Sequence, residues 1–211
     1  MSMQSEGSLR ERLVDAGVEL VLSEGVSSLG LREIARRAGV SHGAPRRYFP
    51  THQALLSAIA GRGFADLAQR FADAVDEATS PRAQLRALAC AYVRFAQERP
   101  GMFELMFRHD LLRGQARAAG EPRLRDATLP LFGRIVELIR RRREQEGGGR
   151  RDVPAEETAV ALWANVHGLA QLWGWGSIGL ALGEDDSPQD GDRLDRLVTA
   201  LLDAHLGEAD A

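Results

Sequence analysis

Apolar residues along this chain recur at three- and four-residue spacing, the period of amphipathic helices rather than the alternation of strands. Leu9, Leu13, Ala16 and Leu20 make the first stripe, and Gly25 ends it. Ser8, with Glu11 three residues on, is placed to start that helix as a capping box. Leu31, Ile34, Ala35 and Ala38 make a second, shorter stripe. It stops at Gly39, where a residue without Cβ can enter the left-handed region and turn the chain, with Val40 as an apolar plug for the corner. Ser41 stands where it can cap a third helix running to about Phe49, which Pro50 ends. Pro45 is tolerated in the first turn of that helix, because the N–H it lacks has no partner there. Two short helices joined by a glycine-containing turn form the helix-turn-helix pattern, whose second helix lies in the major groove of DNA. The first helix is too short to be stable alone and is expected to pack across the other two.

Beyond Pro50 the pattern predicts Thr51 as the cap of one long helix reaching about Thr79, with Leu55, Leu56, Ile59, Phe64, Leu67 and Phe71 on it and local weakening at Gly61 and Gly63. A shift in its tilt would move the reading head. A helix from Pro81 to Arg99 follows, then the stripe Phe103, Met106, Phe107 and Leu111. A helix from about Arg123 to Glu146 carries Leu131, Ile135, Leu138 and Ile139, and the most apolar one runs from Pro154 to about Leu182. The last spans Asp192 to Leu206, with Leu194, Leu197, Val198, Leu201, Leu202 and His205 on one side. Gly147 to Gly149 and the acidic stretch GEDDSPQDG are read as loops.

Charge changes this picture. The formal net charge is −3, yet between residues 31 and 62 Arg32, Arg36, Arg37, Arg46, Arg47 and Arg62 face only Glu33, a local +5. A basic patch on an acidic chain is what a phosphate-binding face requires, since neutralising phosphates releases counterions. The run Arg140 to Arg143 reads instead as cations favouring the negative end of a helix, interrupted by Glu144 and Glu146. No run of eighteen apolar residues spans a membrane, and the start MSMQSEGS has no signal-peptide character, so a cytoplasmic protein is expected. The single Cys90, inside LRALACAYV, reads as a buried structural thiol.

Some motifs bear on function by failing. Gly174, Gly176 and Gly179 match G-x-G-x-x-G, but they follow Leu162, Val166, Leu169 and Trp173 at helical spacing instead of a strand, so no dinucleotide site is read there. His109, His167 and His205 are scattered, with no H-x-x-x-H or C-x-x-C pair. No catalytic residue, metal site or cofactor is expected.

Residues 9 to 60 resemble the N-terminal domain of the tetracycline-repressor-like (TetR) family, through a first helix ending in Glu24 and Gly25, then REIARRAGVS, then Tyr48, Phe49, Pro50 and the pair Leu55, Leu56. Trp163, His167 and Gly168 are similar to the Trp-His-Gly signature of one class of regulatory domain in that family. The resemblance implies an all-α fold, here of about nine helices, a homodimer, and the role of a ligand-released repressor. It divides the chain into a three-helix DNA-binding domain, residues 1–52, and a helical ligand-binding and dimerisation domain, residues 53–211. The chain departs from the family at Gly30, Arg46 and His52, where threonine, an aromatic residue and lysine are usual and commonly contact phosphates.

The candidate DNA-binding residues are Arg32, Ser41, His42, Ala44, Arg46, Arg47, Tyr48, Thr51 and His52. Arginine at 46 suits a phosphate or a guanine edge bidentately. The candidate ligand-binding residues, taken from their size and their apolar helices, are Phe103, Met106, Phe107, Trp163, His167 and Trp173; core packing explains them equally well. The expected partners are double-stranded DNA bearing a palindromic operator, an unidentified small apolar effector, and a second copy joined through the C-terminal helices as a four-helix bundle, with no membrane. Two alternatives stand beside a repressor: a protein-interaction module of the same fold without DNA binding, and an all-helical enzyme.

Overall fold

The computed structural model describes residues 3–75, 80–112, 124–145, 153–183 and 190–207. Eight helices of at least seven residues, joined by shorter ones, make up an all-α protein among these residues. The expected loops at Gly147 to Gly149 and at GEDDSPQDG lie outside them, apart from Gly183 and the last two residues of that stretch.

The helices form two compact units, one of residues 1–66 and 99–128, the other of residues 67–98 and 129–211. Helix α4 (His52–Val75) contributes to both. The domain boundary expected after residue 52 falls at the start of α4, whereas the units divide inside it, between Asp66 and Leu67.

The first unit is built on α1 (Met3–Glu24), against which α2 (Leu31–Arg37), α3 (Pro45–Tyr48) and α6 (Pro100–Phe107) pack. Leu13, Ala16 and Leu20 are buried as their spacing predicts. The helix begins at Met3, so Ser8 lies inside it and not at its cap. Leu55, Leu56, Ile59 and Phe64 of α4 complete this core. Gly17 makes the α1–α4 contact possible, since a Cβ there would lie 2.2 Å from the Ile59 Cδ1. The stripe expected to continue through Leu111 breaks at Arg108, where α6 gives way to the short α7 (His109–Leu112).

In the second unit α5 (Pro81–Glu98), α9 (Ala155–Gly174) and α11 (Asp190–Leu206) pack mutually. Leu85, Leu88, Val93 and Phe95 of α5 meet Leu162, Val166 and Leu169 of α9 and Leu194, Val198 and Leu202 of α11 in a common apolar core. Helix α8 (Leu124–Gln145) adds Val136, Leu138 and Ile139 from its second half and carries Pro130 in its first. The helix expected to run unbroken from Pro154 to Leu182 is two. Gly176, at φ +72°, takes the left-handed conformation that ends α9 and starts α10 (Ser177–Leu182) in a new direction. Gly174, Gly176 and Gly179 thus lie on a helix-to-helix corner, with no strand before them.

Candidate nucleic-acid interface

Helix α2 ends in a Schellman turn. Gly39 sits at φ +67°, the Val40 N–H donates to the Ala35 carbonyl at 3.0 Å, and the Gly39 N–H donates to the Arg36 carbonyl at 3.1 Å. Arg12 of α1 reaches across to donate to the Ala38 carbonyl at 2.6 Å, satisfying an acceptor at the C-terminal end of α2. This fastening was not anticipated from the sequence; an arginine on the polar side of an N-terminal helix carries no signal of its partner 26 residues away.

The second helix of the motif is shorter than its expected span of Ser41 to Phe49. Helix α3 covers only Pro45–Tyr48, preceded by a turn in which the Ala44 N–H donates to the Ser41 carbonyl at 2.9 Å. Ser41 therefore acts through its backbone and not as a side-chain cap; Ala44 holds the N-cap position, and proline at N1 fixes the entry angle without needing a donor. Ser41 and His42 stand exposed in that turn, Arg46 and Arg47 stand exposed on α3, and Tyr48 is half-buried. Ala44 is buried, 9% exposed, which turns its methyl to the core and away from any groove. Phe49 is 1% exposed and its ring lies under the Arg10 guanidinium at 4.9 Å, a cation–π contact that braces the end of α3.

The six arginines of the basic stretch divide into two groups. Arg36 pairs with Glu33, Arg37 with Glu24 at 2.7 Å, and Arg62 with Asp15 at 3.0 Å. Arg32, Arg46 and Arg47 are exposed and, among the described residues, make no ion pair or side-chain hydrogen bond. The charge offered to a partner is thus carried by three residues, one at the start of α2 and two on α3.

Two further candidates lie at the start of α4. The Ala54 N–H donates to Thr51 Oγ1 at 3.1 Å, the helix cap expected of that threonine. His52 is half-buried, with its Nε2 2.6 Å from the carbonyl oxygen of Leu29.

The candidate ligand residues fall in both units. Phe103 and Met106 are buried in the first, and Phe107 meets Phe64 edge-on at 5.8 Å and Phe103 at 5.0 Å. Gly63 belongs to this packing, since a Cβ there would lie 2.7 Å from the sulfurs of Met102 and Met106. In the second unit Trp163 and His167 share an aromatic cluster with Tyr92, and Trp173 lies further along α9, half-buried. The Tyr92 hydroxyl is 2.8 Å from His167 Nδ1 and accepts from Trp163 Nε1 at 3.4 Å. Burial holds the His167 imidazole below the usual histidine range and pushes the Tyr92 phenol up, so both rings are neutral at pH 7. Tyr92 and Trp163 line a cavity of about 30 Å³ with Phe71, Leu85, Leu88, Ile135 and Val166, room for one water-sized body. Tyr92 was not singled out from the sequence; a hydroxyl inside the apolar stripe of α5 is the signal that points to it.

The run Arg140 to Arg143 is engaged within the protein at three of its four residues, with Arg141 exposed. Arg140 pairs with Glu156, Arg143 donates to Thr158 Oγ1 and the Val153 carbonyl at 2.8 Å, and Arg142 is buried. Among the described residues no cluster of three His, Cys, Asp or Glu side chains is placed to hold a metal ion, and no helix is long and apolar enough to cross a membrane.

This arrangement agrees with what the chain is similar to. Residues 13–59 match the family described as bacterial regulatory proteins, tetR family, and residues 85–201, more than half of the chain, match the tetracyclin repressor-like C-terminal domain. An uncharacterised HTH-type transcriptional regulator, YobS of Bacillus subtilis (strain 168), is 34% identical over 98 residues, 46% of this chain; the chain spans about half (51%) of that relative's length. The nucleoid occlusion factor SlmA of Vibrio vulnificus (strain YJ016) is 26% identical over 166 residues, 76% of this chain and 80% of its own. A solved structure of a protein of unknown function from Rhodococcus sp. RHA1 superposes with a TM-score of 0.69 at 31% identity, covering 97% of each chain. A helix-turn-helix presenting exposed arginines, a helical second unit, and family matches to both parts lead to one conclusion: the chain belongs to the TetR family of bacterial transcriptional regulators.

Proposed function

We propose that the chain is a transcriptional repressor that binds a palindromic operator as a homodimer and leaves it when a small, largely apolar molecule binds, with no enzymatic activity of its own. The observation that carries the reading is the division of the arginines: Arg46 and Arg47 on α3 and Arg32 on α2 have no ion-pair partner among the described residues, whereas their neighbours are neutralised. Pairing through the C-terminal helices is supported by an outward apolar stripe on α9, in which Val160 is 51% and Leu172 42% exposed, with Ala164 exposed and Gly168 half-exposed between them. Such a face matches the packing of a four-helix bundle made by two copies. The uncharged, apolar surroundings of Tyr92 and Trp163 support an effector with an apolar body and one neutral hydrogen-bonding group, whose entry would have to widen a cavity that now has room for one water-sized body.

The test is a titration of the protein with duplex DNA from its own upstream region over a series of salt concentrations. Affinity is expected to fall steeply as salt rises, and Arg47→Ala is expected to cost about 1–3 kcal/mol and to relax base preference at its position. Salt-independent or absent binding by the unaltered protein would instead favour the interaction-module reading.

A further inference from the structure

We infer that His52 is a positioning residue, a clamp that ties the segment between α1 and α2 to the first turn of α4, and not a phosphate ligand. The position is the one at which the family resemblance leads one to expect a cationic anchor, and it is the geometry that argues otherwise. His52 Nε2 lies 2.6 Å from the Leu29 carbonyl oxygen. A carbonyl only accepts, so Nε2 carries the hydrogen and donates it. The nitrogen that makes this bond is thereby committed to the backbone, which leaves only Nδ1 for any other partner.

The acceptor is well chosen for a clamp. Leu29 is buried, 3% exposed, and closes the short 3-10 turn Val26–Ser28 that leads into α2 through Gly30. The turn's other hydrogen bonds run within it and back to α1: the Ser28 hydroxyl to the Gly25 carbonyl at 2.7 Å and to the Leu20 carbonyl at 3.4 Å, the Leu29 N–H to the Val26 carbonyl at 3.2 Å, and the Gly30 N–H to the Ser28 carbonyl at 2.8 Å. Gly30 caps α2 with no side-chain hydrogen bond, so the chain entering α2 has no capping side chain to fix it. His52 supplies a long-range tie at that point, 23 residues away in sequence. Arg12 does the same at the other end of α2, and the helix is thereby fastened to α4 at its start and to α1 at its end.

The inference rests on the DNA-reading function proposed above only for its affinity arm, and the experiment separates the two. Hydrogen exchange in the free protein is followed at the Leu29 and Gly30 amides for the unaltered chain, His52→Ala and His52→Gln. His52→Ala is expected to speed exchange there by about two- to tenfold, the range of one lost hydrogen bond, and His52→Gln, whose amide can donate to the same carbonyl, to restore protection. Titrated with duplex DNA over a salt series, His52→Ala is expected to bind several-fold more weakly with an unchanged log–log slope, and His52→Gln to recover affinity although it carries no charge at any pH. A slope reduced by about one in both variants identifies a phosphate ligand and overturns the clamp. Unchanged exchange in His52→Ala overturns it whatever the DNA result. Failure of the unaltered protein to bind DNA counts against the function alone, because the exchange arm is read without DNA.

Discussion

Arg46 and Arg47 differ from Arg36 and Arg37 in a way that matters to a polyanion. All four are arginines of one helix-turn-helix, but a phosphate approaching Arg36 must compete with the Glu33 carboxylate, whereas Arg46 and Arg47 meet it with their charge unspent. Arg36→Ala is accordingly expected to leave the salt dependence of DNA binding nearly unchanged, in contrast to Arg47→Ala. Arg32, Arg46 and Arg47 were already the candidates from sequence, without Arg36, Arg37 and Arg62, but the partners of the last two were not legible there, because Asp15 and Glu24 lie outside the stretch and reach it only in three dimensions. Cys90 was legible as a buried thiol from its apolar neighbours, but its partner was not. Sγ donates to Asp195 Oδ1 at 3.2 Å, and burial first, then that carboxylate, push the thiol from 9.0 up to about 12. The folded chain therefore keeps a proton above pH 9 that the unfolded chain releases, and stability falls as pH rises from there, by at most about 1.4 kcal/mol per pH unit. Denaturant melts of the protein and of Cys90→Ala between pH 8 and roughly 10, below the range in which Tyr92 adds its own slope, should show that limb in the first and a flatter one in the second.

At the scale of elements, the long stripes were legible and the corners were not. Leu13, Ala16, Leu20, Leu55, Leu56, Ile59, Phe64, Leu67 and Phe71 are all buried as their periodicity requires, because a helical stripe is a local property that tertiary contacts only confirm. The start of α3 and the break after α9 are set by turn geometry, which apolar spacing does not record. Gly63 shows the same limit from another side. By propensity it weakens α4, yet in the fold it admits two methionine sulfurs, and only the packing partner reveals which role dominates. Gly63→Ala is expected to cost about 1–3 kcal/mol by overpacking, softened because Met102 and Met106 can change rotamer. Gly101→Ala should cost more, since its Cβ would lie 2.4 Å from the Val21 carbonyl oxygen, backbone that cannot swing aside. Urea midpoints of the two variants test the order.

For the whole molecule, the claim to test is assembly. Gly168 lies on the outward stripe of α9, and a Cβ built there meets nothing within 4 Å in the protomer. Gly168→Arg therefore fits the isolated fold and burdens only a paired face. Sedimentation is expected to show a shift from dimer toward monomer with the helical content kept, and operator affinity is expected to drop with it. A dimer of unchanged strength would place the interface elsewhere. The family was legible in the first sixty residues, because the helix-turn-helix compresses its function into a short contiguous run. The cluster of Tyr92, Trp163 and His167 was less so: its members come from two helices some seventy residues apart, and periodicity marks each as core without bringing them together.

The left-handed corner at Gly176 has an optical consequence. It leaves Trp175 71% exposed beside two other indoles of the same segment, Trp163 at 36% and the half-buried Trp173. Emission from Trp175 should be red-shifted and the most readily quenched by iodide, with Trp163 and Trp173 quenched less. Trp175→Phe is expected to remove the most readily quenched part of the emission, leaving the signal of Trp163, which lines the cavity beside Tyr92, and of Trp173.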